Sequence, residues 1–177
     1  QVSFGDDVIS RITLARQGDA MVDELRLSVV EACNGLIREL LDVAGVPAER
    51  ILALALAGNT TMQHLFCGMS PAALGELPFS PVYSRALELP AVELDLYAHP
   101  LAQVYVFPNI GGFVGGDTVA GMLAHRLDNV EGPTLFVDIG TNGEIVLAHD
   151  GELWASSAAA GPAFEGARIA CGVLTRT

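Results

Sequence analysis

The chain has 177 residues, and its 9 basic against 21 acidic side chains leave a formal charge of −12, every basic residue being arginine. The absence of lysine excludes a P-loop, the strand lysine of a protein kinase and Schiff-base chemistry, all of which need the amine. The acidic balance argues against nucleic acid, whose binding rests on cations that neutralise phosphates, and a hydrophobic share of 51% against 17% charged excludes disorder.

From the N-terminus, residues 6–17 read as a short helix stopped by Gly18, after which Asp19 is expected to cap a longer one. Val22, Leu25, Val29, Cys33, Leu36 and Leu40 recur at helical steps on one side of it, and Gly45 and Pro47 end it. The unbroken run Ile51–Ala57 reads as a strand covered on both faces. It leads through Gly58 and the capping sequence Asn59-Thr60-Thr61 into a helix carrying His64. Residues 68–108 are rich in proline, with 92–96 and 104–107 as their strand candidates. A glycine cluster, Gly111 to Gly116, precedes Asp117, which opens a helix through about Leu127. Three strands close the reading, 134–138, 144–148 and 152–156, the last two joined by an Asp150-Gly151 hairpin turn.

No apolar run approaches the ~20 residues of a membrane span. Cys33, Cys67 and Cys171 are widely separated and read as cytoplasmic core thiols. The chain opens without an initiator Met and stops without a terminal element, and it reads as a fragment.

The segment with the most chemistry is Asp138-Ile139-Gly140-Thr141-Asn142-Gly143-Glu144. A strand ends in a carboxylate and meets a turn whose glycines allow close backbone approach, so that N–H groups can face phosphate oxygens. Asp138 is placed to hold Mg²⁺ through its water shell, as hard oxygen ligands do. An ordinary hairpin with Asp138 and Asn142 as turn caps is the alternative. Upstream, Gly115-Gly116-Asp117 repeats the theme, glycines beside a carboxylate. His64 could be a metal ligand or proton relay, but its apolar helix turn favours a structural role.

The order of these pieces resembles the linking helix and second phosphate loop of the actin, hexokinase and heat-shock chaperone ATPase superfamily. Five blocks narrow the likeness: residues 4–12, 57–65, 113–117, 138–144 and 159–166 look like those of the ATP-dependent reductive activators of corrinoid proteins. The resemblance implies an α/β actin-like ATPase fragment. Residues 1–131 would be the remainder of the first lobe, with a proline-rich insert at about 68–108, and residues 132–177 the opening β-meander of the second. It implies ATP and Mg²⁺, with an iron–sulfur cluster only in an N-terminal domain outside this sequence. The partner would be a corrinoid methyl-carrier protein, with no nucleic acid, no membrane, a cytoplasmic location and a homodimer as a further assembly. Asp138 and Asp117 would be catalytic, Asp138 through Mg²⁺-bound water. Gly140, Thr141, Asn142, Gly143, Glu144, Gly115 and Gly116 would line the nucleotide. A small-molecule kinase of the same superfamily and a nucleotide-gated docking module are the competing readings.

Overall fold

A computed structural model describes residues 7–140 and 142–159. Two compact units divide between Asp117 and Thr118, and each is a small α/β assembly.

In the first unit, α1 (Val8–Ala15) starts where the Asp7 carboxylate accepts the Ser10 N–H, a side-chain cap. The long helix α2 (Asp19–Ala44) is not capped by Asp19. Gly18, at φ 125°, takes the cap position, and Asp19 becomes the first helical residue, where its charge complements the helix dipole. Gly45 ends α2 in the left-handed conformation, as glycine does at helix C-termini. The apolar stripe of α2 is buried at Val22 and Leu25, yet Leu36 and Leu40 stand 61% and 69% exposed.

Beside α2 lies a three-stranded sheet of order β1-β3-β2, with β1 (Ala53–Leu56) parallel to β3 (Gln103–Val106) and β2 (Leu87–Pro90) antiparallel to it. The expected burial of β1 on both faces is corrected here. Its residues alternate between exposed and half-buried at one of the sheet's two edges, and β3 in the centre carries the buried Val104 and Val106. Those valines, with Val30 of α2, Phe66, Ala91, Leu94 and Ala102, form the principal core. A second cluster joins Ala15, Val22, Leu25 and Leu65.

The proline-rich segment supplies β2 and β3, but residues 92–96 are no strand. Ala91–Leu94 form a 3₁₀ turn that buries Ala91 and Leu94, three residues apart, and ends at Asp95 with φ 55°. Two side chains of α2 hold that turn: Arg26 pairs with the Asp95 carboxylate at 2.8 Å, and the Asn34 amide donates to the Asp95 carbonyl at 2.8 Å. An alternating sequence has been overridden by tertiary contacts.

Helix α4 (Gly116–Ala124) runs across the division between the units and is shorter than expected. Arg126 adopts φ 49°, and Leu127–Asn129 form a separate 3₁₀ turn. The second unit is a meander of β4 (Thr134–Ile139), β5 (Asn142–His149) and β6 (Glu152–Ala159). The strands match the expected three and extend them by a few residues. Asp150 and Gly151 both have positive φ, 51° and 78°, the requirement of a two-residue type I′ turn. One face of the meander packs Phe136, Val146, Ala148 and Ala155 against Met122, Leu127 and Val130. Gly121 of α4 admits the Phe136 ring: a Cβ there would lie 2.6 Å from Cζ. The opposite face, with Leu135, Val137, Ile139, Ile145, Leu147 and Trp154, is exposed.

Candidate functional site

Helix α3 (Thr60–Phe66) follows β1 through Gly58, and Asn59 caps it by accepting the Met62 N–H at 2.9 Å. The N-terminus of α3 then receives the glycine-rich approach to Asp117. Thr60 Oγ1 donates to the Gly111 carbonyl at 2.8 Å. Gln63, 1% exposed, donates through Nε2 to the Phe107 carbonyl at 2.8 Å and accepts the Gly116 N–H at Oε1 at 2.9 Å. The Asp117 N–H donates to the Gly58 carbonyl at 3.2 Å.

The two glycines before Asp117 have a packing reason to lack a side chain. A Cβ on Gly115 would lie 2.7 Å from Asn59 Cα and Thr60 N, and one on Gly116 would strike Gln63 Oε1. Asp117 itself is half-buried as the second residue of α4, not its cap, and its charge suits the helix's positive end.

His64, on the same short helix, is fully buried. Nδ1 lies 2.7 Å from the Thr60 carbonyl and Nε2 accepts the Val82 N–H at 2.8 Å, so the ring is neutral with its proton on Nδ1. It stacks on Tyr83 at 4.9 Å. Burial pushes its pKa below the usual histidine value, against the opposing pull of the Thr60 carbonyl. Both ring nitrogens serve the fold, which pins the proline-rich segment to α3.

In the second unit Asp138 occupies the penultimate position of β4, half-buried, directly opposite Glu144 of β5. Glu144 in turn faces Ser157 of β6, whose hydroxyl donates to Oε1 at 3.1 Å. Side chains on register partners share a face, so the structure brings Asp138, Glu144 and Ser157 into one row. The turn is tighter than expected. Asn142 and Gly143 already belong to β5, and Gly140 N–H donates to the Asn142 carbonyl at 3.0 Å. Thr141 and the 160–166 part of the fifth block lie outside the described residues.

Among the described residues no ion pair involves Asp138. A half-exposed carboxylate without a fixed cation, opposite a second carboxylate, fits a hydrated divalent cation, which needs oxygen donors and tolerates water in the rest of its shell. Among the same residues, no group of three or more His, Cys, Asp or Glu forms a closed metal cage.

Sequence reasoning passed over Gln63 and treated Thr60 as a cap. The available signal was a run of polar side chains, Thr60, Thr61, Gln63 and His64, on a helix too short to leave them all solvated. Every one of them is buried.

Comparison with known proteins agrees with this architecture. Residues 1–130 match the family described as the RACo middle region, and residues 132–177 the C-terminal domain of RACo, the ASKHA domain. The corrinoid activation enzyme RamQ of Eubacterium limosum is 35% identical over all 177 residues, which make up 30% of that protein. The Co(II) methylated amine-specific corrinoid protein reductase of Methanosarcina barkeri is 28% identical over 150 residues, 78% of this chain and 27% of the relative. A solved structure of a reductive activator for corrinoid, iron-sulfur protein superposes with a TM-score of 0.91 at 41% identity, covering 97% of this chain and 27% of that one. The chain thus spans less than a third of the length of these relatives. The expected actin-like α/β fragment and the expected family are both borne out.

Proposed function

The chain belongs to the RACo family, and from that premise we propose that it is the nucleotide-handling part of an activator that returns an inactive Co(II) corrinoid protein to Co(I) at the expense of ATP. The observation that carries the reading is the β4–β5 hairpin, with Asp138 and Glu144 paired beside its turn in a region matched by the ASKHA domain.

The reaction adds one electron to cobalt in the partner, supplied by the iron–sulfur domain that the family resemblance implies. ATP must then favour one arrangement of activator and carrier over another, since a ligand without differential affinity shifts no equilibrium. Asp138 would hold the water shell of Mg²⁺, and Glu144, oriented by the Ser157 hydroxyl, would add negative charge beside it. Mg²⁺ bound there would neutralise charge that builds on the phosphate oxygens. The backbone of Gly140, Asn142 and Gly143 would contact the phosphates. Asp117 orients the attacking water and accepts its proton, while Gly115 and Gly116 allow the close packing that seats α4. We place the protein in the cytoplasm; among the described residues, no helix is long and apolar enough to cross a membrane.

The test is spectroscopic. The full-length protein, mixed with a Co(II) corrinoid protein, reductant, Mg²⁺ and ATP, should raise the Co(I) absorption band, and should fail to do so without ATP. A band of equal size and rate without nucleotide would overturn the coupling.

A further inference from the structure

We infer that Gln63 is a positioning residue for Asp117, acting through the backbone that leads into α4. The inference rests on the role assigned to Asp117 above.

Gln63 touches the approach to Asp117 at both ends. Its Nε2 holds the Phe107 carbonyl, just past β3, and its Oε1 holds the N–H of Gly116, the residue before Asp117. A carbonyl on one side and an N–H on the other fix the orientation of the amide, since neither bond survives a flip. Elsewhere the loop is held by Thr60 at Gly111, by the Ile110 and Gly111 N–H groups at the Val114 carbonyl, and by the Phe113 ring against Phe79. Gly116 lacks a Cβ where one would collide with Gln63 Oε1, so glycine and glutamine form a matched pair. Asp117 N–H bonds Gly58, on the chain that leads into α3. The first turn of α4 is therefore set from α3, through an amide that both donates and accepts.

A misplacement of about 1 Å at a group that orients a reactant can cost on the order of 10²-fold in rate. Glutamate has the same shape as glutamine. Ionised, it still accepts from Gly116 but repels the Phe107 carbonyl; protonated, it donates to Phe107 and accepts from Gly116, as the amide does.

The experiment is steady-state ATP hydrolysis by the full-length protein and its Gln63→Leu, Gln63→Glu, Asp117→Asn and Gln63→Leu/Asp117→Asn variants. Gln63→Leu should lower kcat about tenfold or more while KM for ATP moves less than about threefold. In the Asp117→Asn background it should cost nothing further, because residues that act as a unit are not additive. The kcat of Gln63→Glu relative to the parent should rise severalfold as pH falls from 8 to 5.5. Gln63→Glu also keeps the test usable if Gln63→Leu does not fold. Independent, multiplying effects of Gln63→Leu and Asp117→Asn, or a pH-independent ratio for Gln63→Glu, would overturn the positioning role and leave Asp117 in place. Hydrolysis by Asp117→Asn at the parent's rate would instead overturn the assignment of Asp117, and the inference with it.

Discussion

Asp138 and Glu144 face each other across the β4–β5 ladder, two carboxylates on one side of the sheet. Like charges in that relation destabilise a sheet by roughly 0.2–1 kcal/mol unless a cation stands between them. Such a local conflict is expected where a site serves something other than the fold.

Asp138→Asn should therefore separate stability from activity. Its melting temperature in the absence of Mg²⁺ should equal or exceed the parent's, because a repulsion is relieved. ATP-dependent corrinoid reactivation should fall ~10²-fold or more, about 3 kcal/mol of lost electrostatic stabilisation. Paired thermal melts and reactivation rates check this, and parental rates would reduce Asp138 to a turn residue.

Two glycines of one cluster, Gly115 and Gly111, should respond differently to alanine. At Gly115 the new methyl would meet the backbone of Asn59, Thr60 and Gly58 at 2.7 to 2.8 Å, and backbone cannot step aside. A loss of about 1–3 kcal/mol by equilibrium denaturation is expected. Nothing lies within 4 Å of a Cβ on Gly111, so Gly111→Ala should stay within about 0.5 kcal/mol of the parent.

His64 makes stability depend on pH. Burial lowers its folded pKa below the unfolded value of 6.5. Below pH 6.5 the unfolded chain takes up a proton that the folded chain refuses, so stability is full above that pH and is lost as the pH falls. The loss proceeds at up to about 1.4 kcal/mol per pH unit until the folded pKa is reached. Denaturation midpoints at pH 7 and pH 5 should differ accordingly, and His64→Gln should remove that part of the slope.

Burial also pushes the Cys67 thiol up to about 11, against the smaller opposing influences of Tyr83 and Arg26. At pH 8 only about one thiol in a thousand would be ionised, and the thiolate is the reactive form. Alkylation followed by peptide mapping should leave Cys67 unmodified in the folded protein and modify it readily in denaturant. Labelling at equal rates in both would contradict the half-buried placement and the raised pKa.

Local chemistry was legible from the sequence where it acts over a few residues. The Asn59 cap, the Gly45 stop and the Asp150-Gly151 turn each need only their immediate neighbours, and each stands where the sequence places it. Leu87–Pro90 escaped notice as a strand because it is four residues long and ends in proline, and it pairs only because β3 lies alongside. Residues 92–96 misled for the converse reason: their alternation is strand-like, while Arg26 and Asn34, far away in sequence, bend them into a turn. In the site, the opposition of Asp138 and Glu144 needs the register that pairs Ile139 with Gly143, since a two-residue turn at 141–142 would set Asp138 opposite Ile145. The packing of Gly115 and Gly116 against α3 was not legible either, since it depends on contacts more than fifty residues apart in the chain, such as Gln63 to Gly116.

The two-residue turn at Asp150-Gly151 also bears on the order in which the molecule assembles. A hairpin with so short a loop closes in about 1–10 μs. Parallel β1 and β3 must wait until all of residues 57–102 have been gathered between them, a far larger entropic barrier. The β5–β6 ribbon, with Glu144 already beside Ser157, is thus the piece best suited to form early. β4 can add to it as a template and bring Asp138 to its place in the same step, while the sheet that supports the Asp117 half forms on its own, slower clock.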